Sequence, residues 1–194
     1  VKELGQDAIA ITAHGVMYGV IDFYRAAKKA GIKPIIGCEV YVAPRSRFDR
    51  THGVDNEANH LVLLCKDETG YRNLSYMVSQ SFVEGFYGKP RVDKELLQAH
   101  HEGLIALSAC IAGKIPQLIL HKDIEAAKAA ALEYAELFGP ENFYLELQDH
   151  DLPEQQEVNQ GILRIARETG LPLVVTNDAH YLRREDARMQ DVLM

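Results

Sequence analysis

Hydrophobic residues fall in short runs separated by longer stretches in which they recur every three or four positions. Six runs read as strands: "DAIAIT" (7–12), "PIIGCEVYV" (34–42), "HLVLLC" (60–65), "GLIALS" (103–108), "NFYLEL" (142–147) and "LPLVVT" (171–176). Several are almost continuously apolar, as strands covered on both faces tend to be. Between them lie helical patterns. "DIEAAKAAALEYAELFG" repeats Ile124, Ala127, Ala131, Leu132 and Ala135, with Asp123 placed to cap its start and Gly139-Pro140 to stop it. A second helix spans about 153–169, between Pro153 and Gly170; "GVIDFYRAAKKAG" ends on Gly31, and "ETGYRNLSYMVSQSF" is a fourth. The alternation predicts an α/β fold with a largely parallel sheet, which an open sheet and a barrel satisfy equally. Residues 43–59, "APRSRFDRTHGVDNEAN", form a polar stretch without periodicity. A loop of that length inside a compact domain is usually functional or mobile.

Composition changes this picture little. The chain has 194 residues, 47% hydrophobic and 25% charged, enough for one sizeable core. No apolar run approaches the roughly 20 residues of a membrane-spanning helix, so no membrane role is expected. "VKELGQD" reads as the tail of a helix closed by Gly5, and the chain is expected to begin inside a larger unit. A net charge of -7 argues against a surface that coats nucleic acid nonspecifically. It leaves room for an enzyme acting on nucleic acid through bound divalent cations. Three cysteines without CxxC spacing point to a reducing cytoplasm rather than a disulfide framework.

Metal-competent side chains sit at or near the ends of the predicted strands. They are His14 after the first, Glu39 inside the second, His60 at the start of the third, Cys110 after the fourth, His150 after the fifth, and Asp178 and His180 after the sixth. In parallel α/β folds such ends converge on one face, so ligands distant in sequence can share a cluster. His60 fits this rule poorly, because it begins its strand. Taken singly, each residue has a plain structural explanation: a surface histidine, a small buried cysteine, a turn at "NDAH". Six such explanations holding independently are harder to accept than one shared site. Glu39 also needs a partner if it is buried between "PIIGC" and "VYV". His, Asp and Glu suit Zn²⁺, Mn²⁺ and Fe²⁺, and a thiolate tilts the set toward zinc or iron. Asp178 and His180, two residues apart, would face one cavity if the chain there is extended. Cys38 and Cys65 lie inside apolar runs and read as core.

There is no GxGxxG, P-loop, GxSxG or HExxH pattern. Lys89 and Arg91 in "FYGKPRVD", beside Phe86 and Tyr87, are candidates for holding a nucleic-acid backbone. Arg45, Arg47 and Arg50 offer charge in the long loop.

Taken together, "ITAHG", "GCEVYV", "HLVLLCKDETGYRNL", "GFYGKPRVDKELL", "ALSACIAG" and "VVTNDAHYL" resemble the polymerase-and-histidinol-phosphatase (PHP) domain, in the version carried by bacterial DNA polymerase III alpha subunits. The resemblance covers essentially all of residues 1–194 as one domain. It implies a distorted (β/α)7 barrel with up to three divalent metals (Zn, Mn or Fe). On this chain the implied ligands are His14, Glu39, His60, Cys110, Asp178 and His180. Glu39 would bridge two metals and, with Asp178 and His180, carry the catalysis. Lys89, Arg91 and His150 would meet substrate. The family's first strand and first motif, a His-x-His pair, would precede Val1. Ala13 stands where the family usually has an acidic residue. The implied activity is 3′-5′ exonucleolytic proofreading of DNA, with nucleotide addition by other domains of the polymerase. A separate exonuclease subunit and a sliding clamp are further implied partners. The alternatives are a noncatalytic scaffold that stabilises the polymerase and a free-standing phosphomonoesterase.

Overall fold

The computed structural model describes residues 1–193. In chain order the elements are β1 (Ala8–Ile11), α1 (Val20–Ala30), β2 (Lys33–Val42), β3 (Asn59–Cys65), α2 (Glu68–Val83), β4 (Arg91–Val92), α3 (Lys94–Ala99), β5 (Leu104–Leu107), α4 (Lys114–Leu120), α5 (Ile124–Phe138), β6 (Phe143–Leu147), α6 (Pro153–Thr169), β7 (Leu173–Val175) and α7 (Ala187–Leu193). All six predicted strands and four predicted helices are present. The helix ends follow the expected chemistry. Asp123 accepts a hydrogen bond from Ala126 N at 3.0 Å, Pro153 occupies the first turn of α6, and Gly170 closes that helix with φ 74°. The short elements β4, α3, α4 and α7 lie outside the predicted set. Each is too brief to show a period.

The sheet runs β1-β2-β3-β5-β6-β7, with β4 beside β2, and curls as a half-barrel. Five strands of that path point the same way, but β3 runs antiparallel to both β2 and β5. The expectation of a largely parallel sheet is therefore corrected at β3. Its cause is the 43–59 segment, which returns the chain directly to the neighbouring position without a crossover helix. The reversal explains His60: the start of β3 lies at the same rim as the ends of the parallel strands.

Alternation along each strand sorts side chains to two faces. Leu61 and Leu63 of β3 join Phe143 and Leu145 of β6 in the larger core, under helices that supply Leu74, Met77 and Ile162. Val62 and Leu64 face the other way, with Leu107, Tyr144 and Val174. β3 is apolar throughout because both of its faces are covered. Close approach is decisive at one crossing. A Cβ on Gly70 of α2 would lie 1.9 Å from the Gly103 carbonyl, so the helix could not seat against the turn before β5.

The 43–59 segment has no regular structure, yet it is firmly held. Arg91 is fully buried and donates hydrogen bonds to the carbonyls of Gly85, Asp55, Arg47 and Asp49 at 2.6–3.0 Å. Arg47 pairs with Asp93 at 3.0 Å and Glu84 at 2.7 Å, and Arg45 with Asp55 at 2.5 Å. Arg50 donates to the Glu84 carbonyl at 3.0 Å. The arginine–acid pair at Asp55 holds that carboxyl down at about 2, chiefly through the Arg45 hydrogen bond.

Candidate metal centre

Two short pairings beyond the ends of the regular strands assemble the site. Past β1, His14 pairs with Glu39 of β2, where Gly15 N donates to the Glu39 carbonyl at 2.8 Å and Glu39 N to that of Ala13 at 3.1 Å. His60 similarly pairs with Gly113, its N–H reaching the Ala112 carbonyl at 3.1 Å, which lays the Ser108–Gly113 turn against β3. Within that turn Ala109 takes φ 65°, a conformation strained for a residue with a Cβ. The strain falls on the residue before Cys110 and helps aim its thiol.

As a result, ligand atoms of Glu39, His60 and Cys110 lie within 4.8 Å of one another. His60 Nδ1 is 2.6 Å from Glu39 Oε1 and 3.5 Å from Cys110 Sγ. Glu39 is only 4% exposed, and its Oε1 has no partner in hydrogen-bond geometry among the described residues. Burial disfavours the His60 imidazolium, but Cys110 and Glu39 outweigh it and lift the imidazole to about 9. His14 Nε2 lies 3.5 Å from the same Glu39 oxygen, and its ring is 6.2 Å from that of His60 and 5.3 Å from that of His180. Tyr41 meets the His60 ring edge-on at 5.1 Å, and the exposed Lys89 ammonium sits 4.4 Å from the Tyr41 ring. Tyr41, the cross-strand partner of His60, is a site-building residue that sequence alone does not reveal.

A carboxylate oxygen and an imidazole nitrogen from two paired strands and a thiol sulfur from the turn after a third form a donor set suited to Zn²⁺ or Fe²⁺. An acceptor buried without a donor is what a cation would satisfy.

The remaining expected residues separate into groups. His180 reaches the cluster through His14. Asp178 lies beside His180, with its Oδ1 3.9 Å from His180 Nδ1. That nitrogen also lies 2.8 Å from the Asp178 carbonyl, placing Nε2 as the free ligand atom. The extended-chain expectation for this pair is corrected. β7 ends at Val175, and Asp178 has φ 47°, so the two side chains come from a turn. β7 is not a buried strand either, since Val175 is 76% exposed. Arg91 is also corrected as a substrate contact, because its guanidinium is buried and committed to four carbonyls. His150 Nε2 lies 3.0 Å from the Asn177 carbonyl and steadies the same turn. Cys38 is core as expected. Its thiol donates to the Ala13 carbonyl at 3.3 Å, and burial pushes its pKa up to about 12. Cys65 is partly buried and is pushed up to about 11 by the same cause. Glu146, with the same sequence signature as Glu39, a carboxylate inside an apolar run, is missing from the expected set.

The half-barrel is an α/β domain whose rim gathers histidine, carboxylate and thiol groups placed so that they could hold a metal ion. The PHP domain model matches residues 1–150, and the chain belongs to the PHP family. It is 50% identical over 194 residues, all of this chain, to the DNA polymerase III subunit alpha of Treponema pallidum, and 50% identical over 189 residues to that of Thermus aquaticus. It spans 17% and 15% of those relatives' lengths. A solved structure from Bifidobacterium adolescentis, described as a "putative metal-dependent phosphoesterase", shares the fold with a TM-score of 0.51. That match is at 13% identity and covers 99% of this chain and 87% of the other.

Proposed function

We propose that this chain is the PHP domain of a bacterial replicative DNA polymerase III alpha subunit and that it removes nucleotides from DNA 3′ ends by metal-dependent hydrolysis. The observation that carries the reading is the unpartnered Glu39 Oε1, buried between His60 Nδ1, Cys110 Sγ and His14 Nε2. Glu39, His60 and Cys110 would hold a Zn²⁺, Mn²⁺ or Fe²⁺ ion, with His14, Asp178 and His180 as ligands to further ions beside it. Held there, a divalent cation supplies Lewis acidity that activates water near neutral pH and stabilises charge on phosphate. Glu39 keeps the donor groups close and negative. Tyr41 holds the His60 ring in orientation, and Lys89 offers an exposed cation to the DNA backbone. Polymerisation would fall to other domains of such a subunit, with the sliding clamp and a separate exonuclease subunit as its partners.

The test adds Mn²⁺ or Zn²⁺ to the full-length protein with single-stranded DNA and follows 3′ trimming. Glu39→Gln should remove that activity while leaving nucleotide addition intact; trimming at the parental rate would refute the assignment.

One observation favours the scaffold as a second reading. His60 Nδ1 lies 2.6 Å from Glu39 Oε1, so an imidazolium there would satisfy the carboxylate without any metal. Elemental analysis of the full-length protein separates the two, since near-stoichiometric metal supports catalysis and its absence supports the scaffold.

A further inference from the structure

Glu146 on β6 is 4% exposed, faces the interior of the half-barrel, and has no lysine, arginine or histidine within ion-pair distance among the described residues. Burying a carboxylate without a counter-charge is unfavourable by several kcal/mol, on the order of the penalty for any unpaired interior ion. Burial raises its pKa and the nearby Asp178 adds to that, while the Thr176 hydroxyl, the Gln148 amide and the Ala109 N–H favour the ionised form. A hydrophobic residue would be the more stabilising choice beside Leu107, Tyr144 and Val174. Stability therefore does not account for Glu146.

Its contacts suggest another role. Thr176 Oγ1 donates to Glu146 Oε1, and Gln148 Nε2 donates to the same oxygen at 3.0 Å and lies 3.3 Å from Thr176 Oγ1. Gln148 is itself 3% exposed, and its carbonyl accepts from Asn159 Nδ2 at 2.7 Å, tying the cluster to α6. Thr176 N donates to the Leu147 carbonyl at 3.1 Å. Thr176 is the residue at which the chain leaves β7, two positions before Asp178. On the other side, Glu146 N donates to Ser108 Oγ at 2.8 Å, two residues before Cys110. Glu146 thus stands between the two irregular turns, at Ala109 and at Asp178, both of which have left-handed backbone.

We propose that Glu146 is a positioning residue for the metal centre: through Thr176 and Gln148 its buried carboxylate fixes the turn that presents Asp178 and His180. This rests on the reading of Asp178 and His180 as ligands. One oxygen of Glu146 serves the clamp, so an amide can replace the carboxylate. The other, Oε2, has no partner among the described residues, and neither has Gln148 Oε1.

The experiment uses the full-length protein with Glu146→Gln, Glu146→Ala, Thr176→Val and Thr176→Ser. Amide hydrogen exchange over 176–180 and Co²⁺ affinity by chelator competition are measured for each. Glu146→Ala and Thr176→Val should speed exchange in that turn and weaken Co²⁺ binding by about 10–100-fold, the usual effect of removing a group that orients a ligand. Glu146→Gln and Thr176→Ser should restore both to near the parental values. Unchanged exchange in Thr176→Val, which is close to isosteric and keeps the core, would overturn the proposal. So would a Glu146→Gln variant as damaged as Glu146→Ala, which would make Oε2 a direct ligand instead. Faster exchange in the turn together with parental Co²⁺ affinity in Asp178→Asn would sink the ligand reading alone and leave Glu146 as the anchor of the turn.

Discussion

Glu39 and His60 reach the rim from paired strands, whereas Asp178 and His180 reach it from a turn beyond a strand of only three residues. The first pair is held by backbone ladders on both sides and by packing above and below. The second depends on a few side-chain hydrogen bonds, from Thr176 and His150, next to an exposed Val175. Residues 43–59 sharpen the contrast. That segment is far longer than the 176–180 turn and equally irregular, yet a fully buried arginine fastens four of its own and its neighbours' carbonyls. Loop length is therefore a poor guide to order in this molecule. Order follows from the number of buried partners the backbone finds.

The largest effect should come from removing the clamp. Arg91→Met leaves four buried carbonyls without donors and should destabilise the protein by about 3–5 kcal/mol in urea unfolding. Asp178→Asn should change stability by less than about 1 kcal/mol, because the side chain is only partly buried and makes no close ion pair among the described residues. Equal losses from the two would erase the distinction. Metal binding should rank the same way. Glu39→Gln is expected to lower Zn²⁺ affinity by at least about 100-fold, and Asp178→Asn by nearer 10-fold, in chelator competition. The reverse order would place the principal ion at the turn.

Backbone strain gives a smaller test. Ala109→Gly removes the Cβ penalty at φ 65° and should cost little or even stabilise, within about 1 kcal/mol by thermal unfolding, while loosening Cys110 and weakening metal binding a few-fold. A gain in stability with no effect on metal would mean that the strain aims nothing. The mildest effect concerns pH. The Asp55 carboxyl has a folded pKa of about 2, below its unfolded value of about 4. Its contribution is therefore complete above pH 4 and fades as pH falls toward 2. Protection against hydrogen exchange across 43–59, corrected for the intrinsic exchange rate, should fall over that window and hold steady between pH 5 and 8. A loop that loosens near neutrality would point to another group.

Much of this was legible in the chain itself. The apolar runs and their two periods determined which segments become strands and helices, because burial on one face or two leaves a pattern that no later packing can change. The residue types at the strand ends pointed to a cluster that could hold a metal, and the fold brings Glu39, His60 and Cys110 of that set together. The direction of β3 was not legible. Direction depends on whether a connection crosses over or returns, and the 43–59 segment has no period that distinguishes the two. For the same reason His60 looked misplaced until the antiparallel pairing put it at the rim. Arg91 and Lys89, two residues apart in one basic stretch, received opposite fates, one fully buried and one exposed. Local sequence carries charge but not depth. Only the folded chain decided which cation meets carbonyls and which meets solvent, and only it brought Glu146 beneath the turn that bears Asp178.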